Sequence, residues 1–150
     1  MEIERKFLIR SLPENLLEYQ ALRIEQAYLC TDPVVRVRRQ NDEYILTYKS
    51  KGFLSREEYN LPLTEESYLH LRKKADGIIL SKTRYVIPLS DDLKIELDMF
   101  DFPYETLRLA EVEFPTEEAA AAFTPPDWFG EDVTHSPRYQ NSTLSLFDAT

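Results

Sequence analysis

The chain has 150 residues and 43% apolar content, enough to close one packed core, which excludes a disordered chain. Its formal net charge of −9 argues against general nucleic-acid binding. The single cysteine, Cys30, excludes an internal disulfide; with no signal-peptide pattern and no run near the roughly 18 apolar residues of a membrane span, the expected address is the cytoplasm.

In chain order, residues 2–9 predict a strand with Glu2, Glu4 and Lys6 on one face and Ile3 on the other, because strand side chains alternate. Ser11-Leu12-Pro13-Glu14 has the signature of a helix start and predicts a short helix to Tyr19, with Ser11 as N-cap. Residues 24–30 predict a strand ended by Thr31-Asp32-Pro33. Residues 34–39 and 44–50 predict a hairpin across Gln40-Asn41-Asp42-Glu43. Lys51-Gly52-Phe53-Leu54 reads as a turn, and residues 55–61 as a strand stopped by Pro62.

Thr64 caps the clearest helix, 64–76, with Leu69, Leu71 and Ala75 on its buried side, Tyr68 and Arg72 near the edge, and Asp76-Gly77 at its end. Strands follow at 78–88, 93–101 and 106–114, linked by Ser90-Asp91-Asp92 and Pro103-Tyr104-Glu105. Thr116 caps a short helix through Phe123, broken by Pro125-Pro126, and the tail from Asp127 reads as irregular. No repeat or linker divides the chain, so one domain over 1–150 is expected.

These strands carry like-charged pairs two residues apart: Arg36 and Arg38, Lys49 and Lys51, Lys82 and Arg84, Glu96 and Asp98, Glu111 and Glu113. The residues between them include Val37, Leu97 and Val112. One such pair means no more than a solvated sheet face. A whole set does, because solvated faces mix signs across strands to gain attraction. About eight strands suggest a closed antiparallel barrel, mainly β in an α+β chain, with a few covering helices. Its charged face would form a polar tunnel. Cations there suit a polyphosphate, and clustered carboxylates suit a hard divalent ion such as Mg²⁺ or Mn²⁺. No P-loop occurs, and there are only three glycines. His70 and His135 are too far apart in the chain to suggest a metal site, Cys30 reads as a packed thiol, and Trp128 as a core plug.

Glu2-Ile3-Glu4-Arg5-Lys6 matches the ExExK signature of the CYTH superfamily, the triphosphate tunnel metalloenzymes. It is followed in order by Val35-Arg36-Val37-Arg38, Leu46-Thr47-Tyr48-Lys49, Ser55-Arg56-Glu57-Glu58-Tyr59, Lys82-Thr83-Arg84-Tyr85, Glu96-Leu97-Asp98, Glu111-Val112-Glu113 and Arg138-Tyr139-Gln140-Asn141. The ordered set resembles the short bacterial inorganic triphosphatases over nearly the whole chain.

The resemblance implies a tunnel of eight antiparallel strands. It implies that Lys6, Arg36, Arg38 and Lys49, with Arg56, Lys82 and Arg84, hold the triphosphate, and that Arg138 closes one mouth. It implies Glu2, Glu4, Asp98, Glu111 and Glu113 as metal ligands, direct or through water; Glu58 and Glu96 are less certain members of the site, and Lys51 suits only the strand pattern. The implied reaction is attack by water on the terminal phosphorus, with Lys49 and Lys82 as candidates for activating it. The expected protein is a monomer or homodimer that acts on tripolyphosphate or another triphosphate and binds neither nucleic acid nor membrane. Nucleoside or thiamine triphosphatase are alternatives, with Tyr28 and Phe53 as the available aromatics. Class IV adenylyl cyclase and a non-catalytic polyphosphate-binding module stand further off.

Overall fold

The computed structural model describes residues 1–90 and 92–146. Ten strands make one antiparallel sheet: β1 (Glu2–Ile9), β2 (Gln20–Thr31), β3 (Val34–Gln40), β4 (Glu43–Lys49), β5 (Ser55–Arg56), β6 (Glu58–Pro62), β7 (Asp76–Pro88), β8 (Lys94–Phe100), β9 (Arg108–Glu113) and β10 (Phe129–Asp132). Among the described residues three α-helices accompany them: α1 (Glu65–Arg72), α2 (Glu117–Ala122) and α3 (Asn141–Leu144).

Around the sheet the order is β10-β1-β9-β8-β7-β2-β3-β4-β6, with β5 on β1. β5 and β6 are separated only by Glu57: one pairs with β1 (Glu2↔Arg56), the other with β4 (Lys49↔Glu58). Counted as one interrupted strand, they nearly close a ring of eight, the expected number. The tenth strand comes from the tail, where β10 pairs with the end of β1 (Phe7↔Asp132).

The outer face is apolar, as the charge alternation predicts. Val37 is fully buried in a cluster with Tyr68 of α1. Leu97 and Val112 are fully buried in another with Ala120 of α2. Thr64 and Thr116 cap these helices, accepting from the backbone N–H of Ser67 and Ala119.

Several expectations are corrected. Residues 16–18 form only a 3₁₀ turn where a helix was expected from Ser11; Asn15 before it sits at φ 59° and gives no side-chain cap. On α1 Tyr68, expected near the edge, is the buried side chain and Leu69 is exposed, while Leu71 and Ala75 pack against the Tyr68 cluster as expected. α1 ends at Arg72, and Asp76-Gly77 instead begins β7. The tail is ordered rather than irregular, with β10, a 3₁₀ turn at Pro137–Tyr139 and α3. Asp91, in the expected link, and residues 147–150 lie outside the described residues.

The barrel interior is not polar throughout. Tyr28, Val34, Leu80, Phe100 and Leu109 point inward and pack with Leu144 of α3. They plug one end, leaving a cup. At the other end Gln40 and Glu96 border both the cup and an outer depression walled by Asn41, Asp42 and Glu43, so the cup opens at the β3–β4 turn. Gly77 (φ 73°) seats the tail: a side chain there would strike the Ser145 carbonyl, which accepts from Ile78 N–H at 2.7 Å.

Candidate active site

Seven basic side chains and six carboxylates line a cavity of about 280 Å³. In a chain of net charge −9 this is a locally cationic compartment. The signs are segregated by strand. β3 brings Arg36 and Arg38 and β7 brings Lys82 and Arg84, on either side of β2. Lys49 of β4 and Arg56 of β5 continue the basic wall. The opposite wall is acidic, with Glu2 and Glu4 on β1, Glu111 and Glu113 on β9, and Glu96 on β8; Lys6 stands among them. The period of two places each pair on one face, and the barrel turns those faces inward.

Ion pairs hold most of these groups. Asp98 is completely buried behind the basic wall, taking Arg84 in a two-point contact (2.7 and 2.9 Å) and Lys82 Nζ at 2.7 Å. Burial pushes its carboxyl up, but Arg84 and Lys82 outweigh that and hold it below its ordinary value. Lys49 lies between Glu2 (3.0 Å) and Glu58 (3.2 Å), and Glu2 also takes Arg56 at 3.2 Å. Lys6 reaches Glu111 at 3.5 Å, and Arg84 reaches Glu96 at 3.1 Å.

Two cations remain electrostatically uncomfortable. Burial brings Lys82 down to about 7, against the pull of Asp98 and with the push of Arg84 and Arg38. Burial, with Arg36 and Arg84 nearby, brings Arg38 down to about 9. The Nε atoms of Arg36 and Arg38 are buried with no hydrogen-bond partner. Unmet buried donors are costly, and an anion rich in acceptor oxygens would satisfy them.

Glu4 is the mirror image. Burial, then Glu111 and Glu2, push its carboxyl up to about 8. The protein's own cations therefore do not keep Glu4 ionised, and it holds a proton below about 8 that a bound cation would displace. Among the described residues no three histidine, cysteine or acidic side chains form a ready-made metal cluster. Mg²⁺ and ions like it are bound through one or two carboxylates plus substrate phosphates rather than by all-protein cages, so Glu4 with Glu2, Glu111 and Glu113 fits a divalent ion that phosphate oxygens help to hold.

Most of the expected residues meet in this cavity: Glu2, Glu4, Lys6, Arg36, Arg38 and Lys49 from the first half of the ring, then Arg56, Glu58, Lys82, Arg84, Glu96, Glu111 and Glu113. Three do not. Asp98 faces its cations and not the cavity. Lys51 lies beyond the end of β4, 83% exposed, 3.6 Å from Asp32. Arg138 is exposed in the tail, over the ring of Tyr139, and is not among the residues that line the cavity. Sequence reasoning missed the neutral members: Gln26, Thr47, Asn60 and Asn141 carry no charge pattern, and only hydrogen bonds reveal them.

The family model described as the CYTH domain matches residues 1–145. An inorganic triphosphatase of Nitrosomonas europaea is 44% identical over 148 residues, with 97% of each chain covered. One of Acetivibrio thermocellus is 36% identical over 151 residues, covering 95% of this chain and 92% of its own. A crystal structure of the inorganic triphosphatase NE1496 superposes with a TM-score of 0.73 at 40% identity, covering 99% of this chain and 96% of its own.

Proposed function

The chain belongs to the CYTH domain family, and on that premise we propose that it is a divalent-metal-dependent inorganic triphosphatase, converting tripolyphosphate and water to pyrophosphate and phosphate. The observation that carries this reading is the segregated cavity, with unmet arginine donors on one wall and, on the other, a carboxyl that stays protonated for want of a cation. A polyphosphate answers the first and a divalent cation the second.

Arg36, Arg38, Arg84 and Arg56 bind and orient the phosphate chain, since guanidinium matches phosphate oxygens in two-point contacts. Glu2, Glu4, Glu111 and Glu113 would hold the ion; their hard oxygen donors favour Mg²⁺ or Mn²⁺. When bound, the ion neutralises charge that builds up on phosphate oxygens. Water attacks the terminal phosphorus, the bridging P–O bond breaks, and pyrophosphate leaves. Lys82 is better placed than Lys49 to take the water's proton. Burial already favours its neutral amine, whereas Lys49 is bracketed by two carboxylates.

An inorganic substrate suits the rim. Gln40, Asn41, Asp42, Glu43 and Glu96 surround the open end, and among the described residues that wall it none is aromatic. Tyr28 is buried in the plug, and Phe53 packs against His135. Cys30, the single cysteine, fits a reducing cytoplasm, and no helix among the described residues is long and apolar enough to cross a membrane.

The test is phosphate release from tripolyphosphate, ATP and thiamine triphosphate with Mg²⁺ or Mn²⁺, and with EDTA. Preferred, metal-dependent turnover of tripolyphosphate is expected. Tight tripolyphosphate binding without turnover would make the chain a binding module, and faster ATP turnover would move the substrate class.

A further inference from the structure

Gln140, Asn141 and Ser142 line the cavity from outside the barrel. Asn141, the first residue of α3, reaches the cup floor from the C-terminal segment. Its Oδ1 accepts from Lys82 Nζ at 3.0 Å and from Gln26 Nε2 at 2.8 Å. Gln26, fully buried, accepts at Oε1 from Arg38 Nη2 at 3.0 Å.

The orientation of this chain is forced. Lysine ammonium and guanidinium only donate. Lys82 therefore requires the oxygen of Asn141, and Arg38 requires the oxygen of Gln26. Gln26 is left to present its NH₂ to Asn141. Two amides thus bridge two cations of the basic wall.

We infer that Asn141 is a positioning residue for Lys82, an inference that rests on the triphosphatase reading above. The amine nitrogen has three positions besides its carbon. Asp98 Oδ2 takes one and Asn141 Oδ1 a second, leaving the third for the cavity that Lys82 lines. That third position is an N–H in the ammonium and a lone pair in the neutral amine. The same two anchors thus aim Lys82 at substrate whether it clamps phosphate or accepts the water's proton.

The C-terminal segment is itself firmly seated. Leu144 is buried in the barrel plug, its carbonyl accepts from Tyr104 Oη at 2.7 Å, and the Ser145 carbonyl accepts from Ile78 N–H. Asn141 can therefore lose its side-chain oxygen without the helix losing its dock. This separates a positioning role from a structural one.

The test compares Asn141→Leu, which removes the acceptor at similar volume, Asn141→Asp, which keeps an oxygen for both donors, and Asn141→Ala as a smaller substitute for Asn141→Leu. Tripolyphosphate turnover with Mg²⁺ should show kcat falling about tenfold to a hundredfold in Asn141→Leu with KM little changed, because a misplaced group costs that much while binding is shared among several cations. Asn141→Asp should stay within a few-fold of wild type. Wild-type kcat in both Asn141→Leu and Asn141→Ala would overturn the inference. So would equal losses in Asn141→Leu and Asn141→Asp accompanied by a large fall in Tm, which would make Asn141 only a dock. A second readout needs no turnover: the Lys82 ammonium ¹⁵N signal of the free protein at pH 6. It should be sharp in wild type and Asn141→Asp and broadened in Asn141→Leu. If wild type is inactive on tripolyphosphate but the signals follow this order, the substrate reading fails and the positioning stands; identical signals in all variants would sink the positioning itself.

Discussion

Asp98 and Arg84 meet in a two-point contact on adjacent strands, Nε to Oδ1 at 2.7 Å and Nη2 to Oδ2 at 2.9 Å. Lys82 adds a third bond to the same carboxylate. Asp98→Asn removes the one charge that two buried cations share. Breaking a buried ion pair this way costs about 3–5 kcal/mol, to be read by urea denaturation. The sign with pH follows from the lowered carboxyl: this stability is present above the unfolded-state value and is lost as pH falls through the folded one. A loss under about 1 kcal/mol would return Asp98 to the ordinary run of surface substitutions.

Arg36 and Arg84 should respond differently to alanine. Arg36 is buried but forms no ion pair among the described residues, and its Nε is unmet. Arg36→Ala should weaken tripolyphosphate binding by about tenfold to a hundredfold, the value of one charge-assisted hydrogen bond. Its stability should fall less than that of Arg84→Ala, since relief of the repulsion on Arg38 offsets the lost attraction of Tyr28, Glu2 and Glu58. Arg84→Ala should lose both, because it strands Asp98. Titration calorimetry and thermal melts on the two variants read the contrast; matching melts would count against it.

Glu4 sets a pH dependence of opposite sign to Asp98. With its carboxyl pushed up to about 8 from an ordinary 4.5, the folded chain holds a proton there that the unfolded chain releases. Between those values stability should fall as pH rises when no divalent ion is present. Added Mg²⁺ should reverse the trend and release a proton on binding, measurable in buffers of different ionisation enthalpy. Glu4→Gln should flatten the curve and weaken the metal effect. An unchanged slope in Glu4→Gln would mean that another group titrates.

Lys82→Arg separates clamp from base. Arginine keeps the charge but does not give up its proton near neutrality. If the neutral amine of Lys82 takes the water's proton, the wild-type rate should rise with pH through an inflection at or above 7, since bound triphosphate favours the ammonium. Lys82→Arg should then lose at least about a hundredfold in kcat, within the usual range for a general base, with binding retained. Near-wild-type turnover would leave Lys82 as a phosphate clamp only.

The charged half of this molecule is written in the sequence. Pairs such as Arg36 and Arg38, or Glu111 and Glu113, lie two apart, and the strand period alone puts each pair on one face. The apolar residues between them, Val37 and Val112, name the other face, and Thr64 and Thr116 announce the helices that cover it. Local periodicity and capping chemistry decide these features, so they are legible without coordinates.

Tertiary structure decided the rest, because it depends on which residues distant in sequence meet. The same alternation that turns Lys82 inward turns Leu80 and Phe100 inward too, and only ring closure shows them packing with Leu144 into a plug that makes the tunnel a cup. Asp98 and Glu96 share a strand face, yet the register of β7 on β8 sets Arg84 directly against Asp98 and takes its carboxylate from the cavity. Lys51 repeats the pattern of Lys49 but falls past the last residue of β4, where alternation no longer holds. Asn141 stood in the family-like run Arg138-Tyr139-Gln140-Asn141 but carried no charge signal and no expected role: an uncharged residue in the tail becomes part of the site because α3 docks under the barrel and brings its amide within 3.0 Å of a lysine 59 positions earlier.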